Sequence, residues 1–288
     1  MKSCIFLLAC SLFLLRDDRI SMQLRHAYSV DSLGACQGAS YQKGRLFLYG
    51  DREVGMIREY ALAGDSLRYL GRECRLTENG KDVINHPTGI AFKEGYPLFI
   101  GNSIRLNTEG TLWKAVIYQI NWQGLLKTGT LDGNLLHTLE DDTCVQGTRP
   151  EYVQYSNKWW VATADYGPAR NEVRLYDPQL LQHAGKTSQK GVLVKKFTCT
   201  PWVQNLRYIP EKDILVLIQN QEEGRKWRFT YLDLKKSIES GTQQVLKVVD
   251  IDERNDELEG FTFLNSDRTG VAVSSSRSNN VNMINISW

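Results

Sequence analysis

Five polar residues occupy equivalent positions in five segments of the chain that align on one another. They are Gln37, Thr88, Glu151, Gln204 and Glu259. All five carry side-chain oxygens and none is a cation, which is the kind of ligand set that a calcium ion takes from carboxylates, amides and water. Without a metal, two neighbouring carboxylates would repel and one would have to keep a proton. If the fold gathers these residues, the alternatives are a calcium site and a solvated polar channel bridged by water.

A second polar set follows the first by about 14 positions in three segments and by slightly more in the other two. It comprises Asp51, Asn102, Asp165, Asn220 and Ser275 or Ser276, with His86, Arg149, Arg170 and Arg277 beside it. Arginines next to carboxylates are suited to binding phosphate, carboxylate or sugar hydroxyls. The alternative is that Asp and Asn end strands because they favour turns. We take Asp51, His86, Asn102, Arg149, Arg170, Asn220 and Arg277 as candidate ligand-binding residues.

Catalysis is a further possibility for the carboxylates. Glu151, Asp165 and Glu259 are the candidate catalytic residues, because a pair of carboxyl groups can serve as acid and base on a glycosidic bond. His86 is the histidine in phase with the repeat, where it is either structural or a proton shuttle. The sequence contains no GxSxG, HExxH, Walker A or GxGxxG motif.

The elements that must position these residues form a repeat. Each aligned segment reads as a strand, and further strands rich in β-branched and aromatic residues follow it. The segments open at residues 37, 88, 151, 204 and 259, a spacing within reach of known propeller repeats. The fifth unit lacks a fourth strand, which residues 25–32 can supply. We therefore predict an all-β fold, a five-bladed β-propeller closed by an N-terminal strand that completes the last blade; the alternative is a six-bladed propeller.

Composition and the N-terminus indicate the compartment and the partners. The 35 basic and 33 acidic residues nearly balance, so nothing favours a nucleic-acid partner. The apolar run 4–15 is too short to span a bilayer and is typical of a signal peptide. We predict an export segment over residues 1–22, a single propeller domain over 23–288, and a periplasmic, cell-surface or extracellular location. Cys10 ends a lipobox-like Leu-Leu-Ala-Cys, so a lipid anchor is the one membrane attachment considered.

Cysteine usage leaves two alternatives. Cys36, Cys74, Cys144 and Cys199 lie beyond the N-terminal segment, with no CxxC pair and no zinc pattern among them. An even number permits two disulfides in an oxidising compartment. Four buried thiols are the other interpretation, since Cys is among the most buried residue types.

Three short strings resemble those of a family of uncharacterised exported propellers. They are HPTG at 86–89, RPE at 149–151 and LEG at 258–260. The repeat plan is also similar in architecture to the calcium-dependent apyrase-type nucleotidases, which implies an oxygen-ligated calcium in the tunnel. It resembles the five-bladed glycosidases too, and that likeness implies tunnel carboxylates.

These observations lead to one functional expectation with two alternatives. We expect an exported propeller that binds a small polar ligand at the tunnel mouth, a sugar or a phosphorylated or carboxylated compound, around a calcium ion and without an organic cofactor. The first alternative is a calcium-assisted hydrolase of a phosphate ester or glycoside. The second is a platform for protein interaction, because fold alone does not decide function.

Overall fold

The structure is a computed structural model that describes residues 20–64, 66–168 and 171–288. These residues form five four-stranded antiparallel sheets and one two-stranded hairpin. The described chain starts with β1, Ser21–Tyr28, which belongs to the last blade. Blade one contains β2 Cys36–Gln42, β3 Arg45–Gly50, β4 Met56–Ala63 and β5 Ser66–Arg75, and the hairpin β6 Thr77–Glu78 and β7 Lys81–Asp82 follows it.

The remaining blades repeat the same order of strands. Blade two contains β8 Pro87–Ala91, β9 Leu98–Arg105, β10 Trp113–Ile120 and β11 Leu135–Glu140. Blade three contains β12 Glu151–Tyr155, β13 Lys158–Ala164, β14 Glu172–Tyr176 and β15 Leu193–Thr198. Blade four contains β16 Val203–Ile209, β17 Ile214–Glu222, β18 Arg225–Asp233 and β19 Val245–Ile251. Blade five contains β20 Leu258–Phe263, β21 Thr269–Ser274 and β22 Val281–Ser287.

The fourth strand of blade five comes from the start of the described chain. Strand β1 pairs antiparallel with β22, from Ser21 opposite Ser287 to Tyr28 opposite Val281. Ile20, just before β1, is buried in the core of that part of the ring. Residues 1–19, which hold most of the predicted export segment and Cys10, lie outside the described residues, so export and lipidation stay predictions.

Burial follows the position of a strand in its blade. The innermost strand β8 is buried at every residue, whereas the outermost strand β19 alternates between exposed and partly covered residues along most of its length. A strand that is covered on both faces needs apolar or hydrogen-bonded side chains along its whole length. A strand with one solvent-exposed face alternates between buried and exposed side chains. The core accordingly lies between blades, as in the cluster that joins Phe47 and Ile57 of blade one to Ile100 and Tyr118 of blade two.

Three short α-helices link third and fourth strands: α1 Trp122–Thr128, α2 Pro178–Leu181 and α3 Leu234–Ser240. Each begins at a capping residue whose side-chain oxygen accepts a backbone N–H, as Asn121 does from Gly124 at 3.1 Å. None of the helices among the described residues has the length and apolarity that a bilayer crossing requires.

The five-bladed all-β fold is therefore confirmed, and the six-bladed alternative is not adopted. The chain between β9 and β10 forms a loop that closes through the bond from Leu106 N to Leu112 O at 2.8 Å, rather than a further blade. All four cysteines beyond the N-terminal segment are free thiols, and three of them are buried. Burial raises the pKa of the Cys36 thiol far above its usual value, with the nearby carboxylates of Glu259 and Asp51 acting in the same direction.

Both ends of the propeller carry contacts that join successive blades. We call the face with the tight hairpins between first and second strands the lower mouth, and the opposite face the upper mouth. At the lower mouth the joining pairs are Lys43 with Glu94, Lys93 over the Trp159 ring, Tyr208 with Gln154, Lys212 with Asp267, and Tyr41 with Asn265. Each pair links neighbouring blades, so the contacts run around the ring.

The axial tunnel is filled below the upper mouth. Arg207 of β16 donates from Nε to the Phe261 carbonyl at 2.5 Å, and its other nitrogens reach the Ala39 carbonyl and the Glu151 carboxylate. Arg207 and Glu151 thus form an ion pair inside the ring, with the arginine almost fully buried. One step nearer the upper mouth, Asn205 donates to the carbonyl of Thr88 at 3.3 Å. These side chains fill the axis of the ring below the upper mouth.

Candidate functional site

We call the five polar residues that open the aligned segments the ring residues. Four of them lie at the same irregularity of strand pairing in their blades. The pairing of first and second strands skips one residue, and the skipped residues are Gln37, Thr88, Gln204 and Glu259. A residue of this kind is a β-bulge, which bends the strand and re-aims a side chain. The sequence repeat therefore reports a real structural equivalence at the start of four innermost strands.

Blade three departs from this pattern. Glu151 pairs with Ala162 without a bulge, and its carboxylate goes to Arg207 in the tunnel. Burial raises the pKa of Glu151, and Arg207 opposes that shift. The residue that blade three brings to the upper mouth is Arg149, which donates from Nη2 to Gln204 Oε1 at 3.3 Å. The predicted calcium ligands are thus divided between the mouth and the tunnel.

A circuit of contacts joins the blades around the upper mouth. His86 Nδ1 lies 2.8 Å from Asp51 Oδ2, which links blades one and two. Thr88 Oγ1 donates to the Thr148 carbonyl, which links blade two to the segment entering blade three. Beyond the bond from Arg149 to Gln204, Gln204 Nε2 donates to Glu257 Oε1 at 2.6 Å, which reaches blade five. Polar groups from all five blades therefore converge at one mouth.

The acidic side of the mouth is a carboxyl pair. Glu259, 5% exposed, is hydrogen-bonded to Glu257 through their side chains. Burial raises the pKa of Glu259 well above its usual value, the charges of Glu257 and Asp51 raise it further, and Arg149 opposes them. These effects favour the protonated form of Glu259 in the folded protein.

Next to this carboxyl pair lies a histidine held by a carboxylate. Asp51 accepts a hydrogen bond from Gln37 Nε2 at 3.4 Å as well as facing the His86 ring. Asn102 accepts the His86 backbone N–H at 2.9 Å, so this candidate ligand residue positions the histidine through its main chain. The His86 side chain is 34% exposed and that of Asp51 22% exposed, which leaves both accessible from solvent.

Asp165 holds a loop rather than the pocket. Its two carboxylate oxygens accept the backbone N–H groups of Val145 at 2.8 Å and Gln146 at 2.7 Å, and the side chain is fully buried. Burial raises the pKa of Asp165, and these two N–H donors oppose the shift. Arg149 donates to the Gln146 carbonyl at 2.8 Å, so the same loop fixes the arginine at the mouth.

The other candidate residues have different surroundings. Asn220 accepts the Leu258 backbone N–H at 2.9 Å, which fixes the start of the strand that carries Glu259. Arg277 is exposed, and Arg170 lies outside the described residues. Two aromatic rings flank the mouth: Tyr166 lies 5.3 Å from Trp202 and donates to Glu257 at 3.3 Å.

Sequence reasoning missed Glu257 and Arg207. The signal for Glu257 is the repeat itself, because the residues two positions before four ring residues are His86, Arg149, Trp202 and Glu257. The equivalent residue in blade one is Ala35, so the pattern is incomplete there. The signal for Arg207 is a lone cation within a strand that otherwise reads as buried. Among the described residues, no group of three or more His, Cys, Asp or Glu side chains is arranged to hold a metal ion.

The fold defines the class of this protein as a five-bladed β-propeller. Three solved structures are similar to the chain to different degrees. The crystal structure of Myxococcus xanthus glutaminyl cyclase is similar, with a TM-score of 0.55 and 13% identity over 93% of this chain and 97% of that chain. Kuenenia stuttgartiensis hydrazine synthase has a TM-score of 0.44 and 12% identity over 84% of this chain and 56% of that chain. A chain of the mitotic checkpoint complex has a TM-score of 0.46 and 10% identity over 87% of this chain and 62% of that chain.

No protein family matches this sequence, and no curated protein matches it. The chain is thus similar to the Myxococcus enzyme over nearly the whole length of both proteins. At 13% identity that likeness concerns the fold.

Proposed function

We propose that this chain binds a small polar ligand at its upper mouth. The observation that carries the proposal is the convergence of polar groups from five blades above the part of the tunnel that Arg207 fills. Ligand sites are concave, largely preformed and equipped with a few convergent polar groups. The contacts that join the blades also hold these groups in place, so the pocket is preorganised.

Calcium is an alternative occupant of the same mouth. Glu257, Glu259 and Asp51 bring negative charge together there, and a cation would relieve their repulsion. Glu151, however, already has a cation in Arg207. We therefore propose direct ligand binding first and treat calcium, and with it the calcium-assisted hydrolase, as one arm of the test.

Thermal unfolding with a panel of ligands tests the binding proposal. The panel contains neutral sugars, amino acids, organic phosphates and calcium chloride, each at millimolar concentration. A ligand present at 100 times its Kd stabilises the folded state by about 2.7 kcal/mol, which raises the unfolding temperature by a few degrees. The shift should disappear in Glu257→Gln and persist in Glu94→Gln, whose exposed carboxylate pairs with Lys43 at the lower mouth. If no compound of the panel shifts the unfolding temperature, or if the shift is equal in Glu257→Gln and Glu94→Gln, the binding proposal is wrong.

A second candidate is acid–base catalysis at the same pocket, which the Glu257–Glu259 contact favours. A carboxyl whose pKa is raised by burial can donate a proton to one group while a second carboxyl beside it accepts from another. The protein with a similar fold is a glutaminyl cyclase, so cyclisation of a glutaminyl peptide is the first reaction to assay. Ammonia release is the readout. Turnover that survives Glu259→Gln unchanged would exclude this pair from the chemistry.

A further inference from the structure

We infer that the ligand of the upper mouth carries a protonated amino group together with a carbonyl or carboxylate oxygen, as amino acids and peptide amino termini do. The inference rests on the proposed function and names the ligand class for that pocket. Three features of the upper mouth support this ligand class: its charges, one unpartnered buried donor and the aromatic rings beside them.

The charge of the mouth selects a cationic group. Glu257, Glu259 and Asp51 face one guanidinium, that of Arg149, and a histidine. Another acid nearby already has a cation: Asp256 accepts hydrogen bonds from Nε and Nη2 of Arg254. The pocket therefore has more carboxyl groups than cations, and a phosphate or an isolated carboxylate would meet repulsion.

The buried contact between Glu257 and Glu259 marks the place of the cation. Burial and the two neighbouring acids Glu257 and Asp51 raise the pKa of Glu259, which favours its protonated form when no cation lies beside it. An ammonium group supplies three donors and a full positive charge, and it can replace that proton while Glu259 ionises. The charges of Glu257, Asp51 and Arg149 act on the Glu259 carboxyl. The charge of Glu259 in turn raises the pKa of Tyr166 and of Cys36.

Arg149 has an unpartnered Nε donor that an acceptor on the same ligand can satisfy. The side chain is 3% exposed and two of its nitrogens donate to Gln146 and Gln204, but Nε has no hydrogen-bond partner. A buried donor without an acceptor costs about 1–3 kcal/mol, which a carbonyl or carboxylate oxygen would recover. Gln204 joins this guanidinium to Glu257, so the donor and the carboxyl pair lie within one hydrogen-bonded chain. An ammonium next to an oxygen matches both ends of that chain.

The aromatic rings fit the same ligand. Tyr166 lies under the Arg149 guanidinium, with 5.4 Å from Cζ to the ring centroid, and beside Trp202. Ring faces attract cations, an ammonium group included. Trp202 also adopts a left-handed backbone with φ of 62°, which a bulky residue takes up only when the surrounding structure holds it there.

Calorimetry with matched dipeptides tests the inference. The probes are alanylglycine, N-acetyl-alanylglycine, which lacks the charge on the amino group, ethylamine, which lacks the oxygen, glucose, inorganic phosphate and calcium chloride. Alanylglycine should bind at least tenfold more tightly than its acetylated form or ethylamine. Titrations between pH 4 and pH 8 in two buffers of different ionisation enthalpy should show a pH range in which binding releases protons, because burial raises the pKa of Glu259. Glu259→Gln should abolish the proton release.

The variants separate the possible outcomes. Glu257→Gln should weaken alanylglycine at least tenfold, and Glu94→Gln should leave it unchanged. Arg149→Lys, which removes the unpartnered Nε donor, should also weaken alanylglycine. If this variant fails to fold, Tyr166→Phe replaces it with the same expected weakening, since the change removes the hydroxyl that donates to Glu257. Equal binding of the acetylated dipeptide, or binding of glucose, phosphate or calcium alone, overturns the ligand class but leaves the pocket as a binding site. If none of the probes binds, and the wider ligand panel also fails, both proposals fall together.

Discussion

Arg149 of blade three donates to Oε1 of Gln204 in blade four at 3.3 Å, and the same Gln204 donates to Glu257 of blade five at 2.6 Å. One amide thus connects a guanidinium to a carboxylate across three blades, because an amide offers an acceptor and a donor at once. A propeller has few covalent links between blades, so such bridges order the mouth as well as stabilise the ring. The residues available to a ligand are therefore held by the same contacts that fix the blades.

Loss of the tunnel cation should destabilise the whole ring. Arg207→Met leaves the Glu151 carboxylate buried without its partner, and breaking a buried pair in this way costs about 3–5 kcal/mol. The cost should be smaller at pH 5 than at pH 8, since Glu151 can then take up a proton. Urea unfolding at both pH values measures the difference.

Two variants serve as controls for that prediction. The double change Arg207→Met with Glu151→Met removes both charges and should recover most of the lost stability. Lys196→Met breaks a pair with Glu172 in which the lysine side chain is 55% exposed, and it should cost below about 1 kcal/mol. Equal losses in Arg207→Met and Lys196→Met would contradict a buried pair in the tunnel.

Stability should fall as the pH rises through the pKa of Glu259 in the folded protein. The unfolded carboxyl titrates near about 4.3, whereas burial with Glu257 and Asp51 raises the folded pKa well above that value. Between the two pKa values the folded state binds more protons than the unfolded state, so the free energy of unfolding declines with increasing pH. The contribution of Glu259 is fully present below the unfolded pKa.

Denaturant unfolding from pH 4 to pH 8 measures this decline. Glu259→Gln should flatten it, because glutamine has no proton to lose. Glu94→Gln is the matched control and should keep the slope of the parent protein, since Glu94 lies exposed at the other mouth. An unchanged slope in Glu259→Gln would show that this carboxyl is ionised in the folded protein.

Asp165→Asn should loosen the loop that carries Arg149. Asparagine offers one oxygen where two backbone N–H groups, those of Val145 and Gln146, now find an acceptor each. A buried donor left without an acceptor costs about 1–3 kcal/mol. Hydrogen exchange at residues 145–149 should accelerate beyond the change expected from global stability alone, and exchange at the parent rate would exclude this anchoring role.

The sequence predicted the blades better than the side-chain partners. The phase of the repeat placed four residues correctly at the start of their innermost strands: Gln37, Thr88, Gln204 and Glu259. It did so because the innermost strand of every blade packs against its neighbours in the same way. It gave Glu151 the wrong neighbours, since one missing bulge shifts a strand by one residue and sends its side chain elsewhere.

The repeat could not predict, for a related reason, which side chains fill the tunnel. An ion pair such as that of Arg207 and Glu151 joins two blades at positions that are not equivalent, with Glu151 opening its segment and Arg207 lying three residues after Gln204. Equivalence between repeats says which residues share a level of the ring, but it does not say which long side chain crosses the axis. Side-chain length and the room left by neighbours decide that.

Gly260→Ala should destabilise the propeller where two innermost strands touch. A Cβ at Gly260 would lie 2.7 Å from the Cα of Gly38 in blade one, and the atom in the way belongs to backbone. Overpacking of this kind costs about 1–3 kcal/mol because the strands of neighbouring blades must move apart. Gly185→Ala is the control, since its Cβ would meet only the Gln189 side chain at 3.8 Å. The urea midpoint should drop in Gly260→Ala and stay in Gly185→Ala; equal midpoints would mean that β2 and β20 are not in close contact in solution.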